Sequence, residues 1–288
     1  MIAARGAAWL SVLLLASAAP VSMTAWADDG PRTAFKVCQD PNNLPFSNDK
    51  GEGIENRIAE LFGKALGLPV EYYSFPNRLA FVRNTLRYRL PGEDFRCDVM
   101  LGVPAGWEQV STTGPYYRST YAVVYSKGGP FKGVDSGPAF LAKLAQLQDR
   151  VKVGLYDKSP AATWLAGTGH LDAAVPYAMM SPRLEQYPGE ILENDLASGK
   201  LDAVVVWGPI AGFYARKVKQ PELVVVPLES ADNIRFDFEI AMGVRQGEPK
   251  WKAQIQQLID SNREPLRAIL EEYGVPLLPD APPRPSGR

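Results

Sequence analysis

The residue types that most often carry chemistry are scarce in this chain. It has one histidine, His170, in the run Gly167-Thr168-Gly169-His170, and two cysteines, Cys38 and Cys97. A zinc site would need a second histidine or a spaced cysteine cluster. A histidine-based triad would have to use His170, and no Gly-x-Ser-x-Gly turn offers a serine nucleophile. Neither Gly-x-Gly-x-x-Gly nor Gly-x-x-x-x-Gly-Lys occurs, so nucleotide phosphates lack their usual cradle. Carboxylate pairs such as Glu271-Glu272 fall on a helical pattern and read as a solvated face. The residues thus supply no catalytic constellation, no metal set and no cofactor motif, and they predict a binding protein rather than an enzyme.

Binding chemistry is better represented. Four polar, aromatic stretches follow apolar runs that read as strands. The first is Asp40-Pro41-Asn42-Asn43-Leu44-Pro45-Phe46-Ser47-Asn48, where the prolines stop regular structure and Asn and Ser favour turns. The second is the loop from Pro104 to Thr113 with Trp107, the third runs from Ser159 to Trp164, and the fourth is Trp207 to Pro209. In an open α/β sheet, ligands bind just beyond the carboxyl ends of strands. Facing one another, these stretches would form a cleft lined by Phe46, Trp107, Trp164 and Trp207. Asp40, Asn42, Asn43, Ser47, Asn48, Thr113 and Ser159 would add polar groups, and Pro104 and Tyr116 complete the set. Ring area with a few orienting polar groups is the make-up of a small-molecule pocket. For each tryptophan, a plain core position is the alternative.

The elements that would position these loops follow from periodicity. Phe35 to Cys38 reads as a first strand. Ile54, Ile58, Leu61, Phe62, Ala65 and Leu66 recur at helical spacing, and Gly67 then stops the helix. Val70 to Phe75 is a second strand, Leu79, Val82 and Leu86 mark a second helix, and Cys97 to Val103 is a third strand. Tyr116 to Tyr125 is dense in Tyr and Val and therefore extended. After the break at Lys127-Gly128-Gly129-Pro130 the pattern restarts. A helix spans Ala139 to Leu147, and a strand spans Val151 to Leu155. A helix starts at Ala161, and Leu201 to Trp207 is a strand with a helix behind Gly208-Pro209. Val224 to Leu228 and Glu239 to Val244 are late strands. Trp251, Ile255, Leu258 and Ile259 form a helix face, which Pro265 interrupts before it continues to Gly274. The expected class is α/β with two doubly wound lobes. The first lobe is discontinuous, 33–125 plus 228–276, the second is 126–227, and 277–288 is a loose proline-rich tail.

Lys and Arg number 31 against 32 Asp and Glu, a net charge of −1, which does not suggest nucleic acid or an anionic membrane as partner. The apolar run Trp9 to Ala19, about 11 residues, is too short to span a bilayer. With Ala25-Trp26-Ala27 behind it, residues 1–27 read as a secretory signal peptide cut before Asp28, a retained amphipathic anchor being the alternative. Export would permit a disulfide between Cys38 and Cys97, on the neighbouring first and third strands. By the chain-entropy model, closing that loop is worth roughly 4 kcal/mol. Two buried free thiols are the other reading.

Several stretches carry a resemblance over most of the chain. They are Lys36 to Ser47, Cys97-Asp98-Val99-Met100-Leu101-Gly102, Gly114-Pro115-Tyr116-Tyr117, Lys200 to Val206, Phe236 to Val244 and Ile269 to Pro276. In this order they resemble the two-lobed, type II periplasmic solute-binding proteins. Val37 to Asn48, Gly51-Glu52-Gly53-Ile54-Glu55-Asn56 and Gly102-Val103-Pro104-Ala105-Gly106 are similar to a narrower branch, the MxaJ/XoxJ family. That family is encoded with PQQ-dependent methanol dehydrogenases and their c-type cytochromes. The resemblance implies a periplasmic accessory protein that assists or activates the dehydrogenase, on the lanthanide-type XoxJ branch, with a small ligand or a partner peptide in the cleft. The alternative is the receptor of an ABC transporter for a small polar or aromatic-containing solute. Amino-acid receptors commonly carry an arginine after the third strand to fork onto the ligand carboxylate. Here that loop is Val103-Pro104-Ala105-Gly106-Trp107-Glu108-Gln109, without one.

Overall fold

The computed structural model describes residues 31–77, 80–147, 150–179, 185–231 and 234–280. The expected signal peptide, 1–27, lies outside the described residues, and the compact unit that carries the fold begins at Thr33. β1 (Phe35–Gln39) is buried along nearly its whole length, as a strand covered on both faces must be. Two short strands, β2 (Asn42–Asn43) and β3 (Ser47–Asn48), pair as a hairpin ahead of α1 (Ile54–Leu66). α1 buries Ile54, Ile58 and Phe62, the stripe that their spacing dictates, and Gly67 caps it with a left-handed backbone (φ 66°). β4 (Val70–Ser74) pairs in parallel with one edge of β1. After a short α2 (Phe81–Asn84), β5 (Val99–Pro104) pairs in parallel with the other.

The expected helix marked by Leu79, Val82 and Leu86 is shorter than its pattern. Leu79 lies outside the described residues, Ala80 enters α2 in the left-handed region (φ 65°), and only one turn forms, yet Val82 and Leu86 still reach the core. The loop beyond β5 contains a strand that the sequence did not signal, β6 (Ser111–Thr112), held by β12 (Asp237–Val244). β7 (Tyr117–Ser126) is ten residues long and changes partner along its length. Tyr117–Thr120 face β12, whereas Tyr121–Tyr125 face β10 (Ala203–Trp207) and Ala122–Ser126 face β11 (Leu223–Pro227) on the opposite edge. The exchange falls at Thr120–Tyr121, ahead of the Lys127 break, because a single extended strand serves both sheets.

The second half adds α3 (Gly137–Leu147), β8 (Val153–Tyr156), α4 (Pro160–Gly167), β9 (Ala174–Tyr177), a π-helical turn at Ile191–Leu196 and α5 (Gly208–Lys217). β8 lies in parallel between β10 and β9. β9 escaped the periodicity reading because it is short and holds Pro176. Its place at the end of the sheet path tolerates a missing donor. α6 (Pro249–Ser261) and α7 (Arg263–Glu272) return to the first half. The break between them falls at Asn262, and Pro265 sits in the first turn of α7, where the N–H it lacks has no helical partner to lose. Leu277–Pro279, expected to be loose, are pinned. Leu277 bridges to Ser119, Leu278 donates its N–H to Arg118 O at 2.9 Å, and Pro279 O accepts from the Arg118 guanidinium at 3.1 Å.

Each half has apolar clusters on both faces of its strands, the mark of a doubly wound sheet. In the first half, Phe35, Ile58, Phe62, Trp251 and Ile255 fill one face and Cys38, Val82, Leu86, Cys97 and Met100 the other. In the second, Phe131, Phe140, Leu155 and Trp164 fill one face and Ile191, Leu192, Val204 and Tyr214 the other. The Cys38–Cys97 disulfide forms, with Cα atoms 5.2 Å apart. Beside it lies a buried guanidinium. Arg245 donates to Leu86 O (3.1 Å), Cys97 O (2.6 Å) and Asp98 Oδ1 (2.6 Å), pairs with Glu248, and stacks on the Phe95 ring at 4.0 Å. Arg245→Met takes the buried guanidinium from beside Asp98 and Glu248. It should lower unfolding stability by about 3–5 kcal/mol, read as a lower urea midpoint at unchanged slope.

Candidate functional site

The Asp40–Asn48 loop is built by its own polar side chains. Asp40 Oδ1 accepts the Asn42 N–H at 2.8 Å, and Asp40 Oδ2 accepts the Asn77 N–H at 2.5 Å. Ser47 Oγ donates back to Asp40 O at 2.8 Å, and Asn43 O accepts the Phe46 N–H at 2.8 Å. Asn48 Oδ1 accepts the backbone N–H groups of Lys50 and Glu52 at 3.1 and 2.9 Å. The loop then lies across the start of α1. Pro45 O and Phe46 O accept the N–H groups of Ile54 and Glu55, each at 2.8 Å. A helix start is a natural anion site because its first N–H groups are unsatisfied. Here the chain's own carbonyls take two of them. Gly53 permits the approach, since a Cβ there would lie 2.1 Å from Phe46 O.

The tip of the loop reaches the other half of the molecule. Leu44 and Phe46 pack against the Ile191, Val206 and Tyr214 cluster. Leu44 O accepts the Tyr214 hydroxyl at 3.0 Å, and Asn42 Nδ2 donates to Glu185 O at 3.3 Å. α5 extends the same contact. The Phe213 and Tyr273 rings stack at 5.7 Å, and Arg216 donates to Glu271 O and Glu272 O at 2.9 and 3.1 Å. Gly212 sits so close that a Cβ would fall 1.8 Å from Gly274 O. Trp207, partly buried between the clusters of the two halves, has the Tyr121 ring at 5.5 Å and the Phe238 ring at 5.8 Å.

The remaining residues of the expected cleft are dispersed. Trp164 is 7% exposed, on the inward face of α4, with the Phe140 ring at 5.9 Å and the Phe236 ring at 5.3 Å. Ser159 caps α4, its Oγ accepting from Ala162 N–H at 3.4 Å and donating to Tyr156 O at 2.6 Å. Thr113 is buried and ties β12 to its own loop, accepting from Met242 N–H at 3.0 Å and donating to Gly114 O at 2.8 Å. Pro104 is exposed at the end of β5. Trp107 packs on the cluster around the disulfide, whereas Phe46 packs on the Tyr214 cluster. The structure therefore groups Asp40, Asn42, Phe46, Ser47 and Asn48 in one loop, and it holds Trp107 and Trp164 in separate cores.

Two residues outside the expected site sit beside the loop. Asn56, buried in α1, links it to β1. Its Oδ1 accepts from Gly53 N–H (3.1 Å) and Asn48 N–H (3.2 Å), and its Nδ2 donates to Gln39 Oε1 (2.8 Å). Glu55 points its carboxyl at Gly102, where a Cβ would lie 2.3 Å from Oε1. Burial, and next the charge of Asp40, push the Glu55 carboxyl up to about 8. Burial, the neighbouring Tyr117 and the charge of Glu55 push Tyr116 well above the usual phenol range. The only signal available was their membership of the Gly-Glu-Gly-Ile-Glu-Asn run. Among the described residues no group of three or more His, Cys, Asp and Glu could hold a metal ion, and no helix is long and apolar enough to cross a membrane.

The raised Glu55 value fixes a sign. Between its ordinary value of 4.5 and about 8, the unfolded chain releases the proton while the folded chain keeps it, so stability falls as pH rises through that window. Glu55→Gln should remove that loss. Its melting temperature should exceed the parent's by more at pH 8 than at pH 5, and parallel curves across the range would contradict the assignment.

No family model matches the chain. The chain is 29% identical to Protein MoxJ of Paracoccus denitrificans over 279 residues, which is 92% of this chain and 96% of that one. The fold is similar to the crystal structure of the periplasmic binding protein XoxJ from Methylobacterium extorquens AM1, at 30% identity and a TM-score of 0.68, over 86% of this chain and 100% of that one. It is also similar to the crystal structure of MxaJ from Methlophaga aminisulfidivorans MPT, at 25% identity and a TM-score of 0.69, over 85% and 100%. With the paired α/β halves, the strand that serves both and the disulfide in place, the chain has the two-lobed, type II binding-protein fold and belongs to the MxaJ/XoxJ family.

Proposed function

We propose that this protein is a periplasmic accessory partner of a PQQ-dependent methanol dehydrogenase of the lanthanide type, assisting its activation or maturation without itself being an enzyme. In this reading 33–125 with 228–276 form one lobe and 126–227 the other, and the dehydrogenase, with its c-type cytochrome as a possible further partner, is met by the surface rather than swallowed by the cleft. Similarity to MoxJ, XoxJ and MxaJ supports the family role. The observation that carries the reading against a transport receptor is the Asp40–Asn48 loop. In an open α/β sheet a solute is met by loops beyond the carboxyl ends of strands, and this loop follows the first strand. Here Leu44 and Phe46 are engaged in the opposite half, and Leu44 O is held by Tyr214.

Two measurements test the proposal together. A receptor saturated at a hundred times its dissociation constant gains about 2.7 kcal/mol, roughly 5–10 °C in melting temperature for a chain of this size. A screen of amino acids, amines, sugars and short organic acids should produce no shift of that size. The purified methanol dehydrogenase of the source organism should bind the protein in calorimetry or co-sedimentation. A large solute shift with no dehydrogenase binding would favour the receptor.

A further inference from the structure

The face of the first half that lies over the disulfide combines features that the candidate site does not use. Between α2 and β5, the segment from Arg87 to Arg96 leaves the body and returns. Its two ends are fixed by one group, since Arg245 donates to both Leu86 O and Cys97 O, and Cys97 is bonded covalently to β1. Within the segment, Tyr88 O accepts the Arg96 N–H at 3.1 Å. Two guanidinium groups lie against the Phe95 ring, Arg245 at 4.0 Å and Arg89 at 4.7 Å from its centroid. Tyr88 stacks on Tyr73 at 6.2 Å and keeps 37% of its surface exposed, and Leu90 keeps 40%. Arg87 donates to Gln109 O, which joins the segment to the loop that carries Trp107.

The composition of this face is directional. Arg83, Arg87, Arg89 and Arg96 are exposed, against Glu93 and Asp94 in the same stretch, and Glu93 is paired to Arg96 at 2.8 Å. From position 65 to position 126 the chain has no lysine at all. Arginine forks match fixed carboxylates in a way that lysine does not. Arginine and tyrosine on a rigid frame are also the residue types that dominate protein–protein binding energy. Preorganisation lowers the ordering cost of association. A frame held by a disulfide and a buried ion pair fits a folded surface of fixed charges better than a fluid lipid layer.

We infer that the Arg87–Arg96 segment, with Arg83, is the docking face for an acidic surface on a partner protein. The inference rests on the accessory reading above and names the dehydrogenase as that partner. The test uses the full mature protein and the purified dehydrogenase, with dissociation constants measured from 20 to 300 mM NaCl. The variants are Arg83→Glu/Arg89→Glu, Arg83→Glu alone, and Arg267→Glu on α7 as a remote reversal. The double variant should bind at least tenfold more weakly at 20 mM NaCl and show a shallower salt dependence. Arg83→Glu should move binding the same way by a smaller factor, and Arg267→Glu should change it less than twofold. A melting temperature within 2 °C of the parent for Arg83→Glu separates docking from folding if the double variant is destabilised. Equal affinity and equal salt slope for parent and Arg83 variants would overturn the docking face while leaving the accessory role standing. No binding by the parent protein would overturn both. Arginine-dependent binding to phosphatidylglycerol vesicles, with none to the dehydrogenase, would replace the partner by a membrane.

Discussion

One guanidinium orders much of the first half. Arg245 follows β12 and reaches across to Leu86 beyond α2, to Cys97 of the disulfide and to Asp98 just ahead of β5. A buried arginine is costly unless each donor finds an acceptor. Here two backbone carbonyls, two carboxylates and a ring face supply them. The Asp98 carbonyl in turn accepts the Trp251 indole N–H at 3.1 Å, which ties α6 to the same point. Three stretches distant in sequence are thereby held in register. The disulfide alone would tether two strands without orienting the segment between them.

The two halves are joined by more than the strand they share. β7 carries hydrogen bonds to both sheets, but a strand crossover alone would leave the halves free to bend about it. The α1 loop and the end of α7 close the other side, through Leu44 and Tyr214, Phe213 and Tyr273, and the Arg216 guanidinium on the last carbonyls of α7. A binding-protein fold whose lobes are linked by its own side chains is suited to present a fixed surface. The exposed arginines and tyrosine above the disulfide are one such surface.

The alternation of apolar runs and the spacing of Ile54, Ile58 and Phe62 were sufficient for the α/β class and the order of most elements, and the two cysteines offered a disulfide that the fold closes. Each depends on local periodicity or on one covalent pair. Short edge elements were less legible. Ala174–Tyr177 carries a proline, and Ser111–Thr112 is too brief to show alternation, so both depend on a neighbouring strand to exist at all.

Which aromatic residues would share a site was not contained in the sequence. Phe46 and Trp107 both follow strands of the first half, and local pattern treats them alike. Tertiary packing separates them, because the Leu44-Pro45-Phe46 tip meets the Tyr214 cluster while Trp107 settles beside the disulfide. Trp164 lies in the core for a similar reason, since the inward face of α4 meets Phe140 and Phe236. Glu55 shows the same limit most directly. On a helical wheel it is one more acid near a helix start, and only its burial in the folded chain, and next the charge of Asp40, changes its titration. Composition and period determine which elements form. The burial of a charge and the partner of a ring are set by residues tens to hundreds of positions away, and those only the assembled fold brings together.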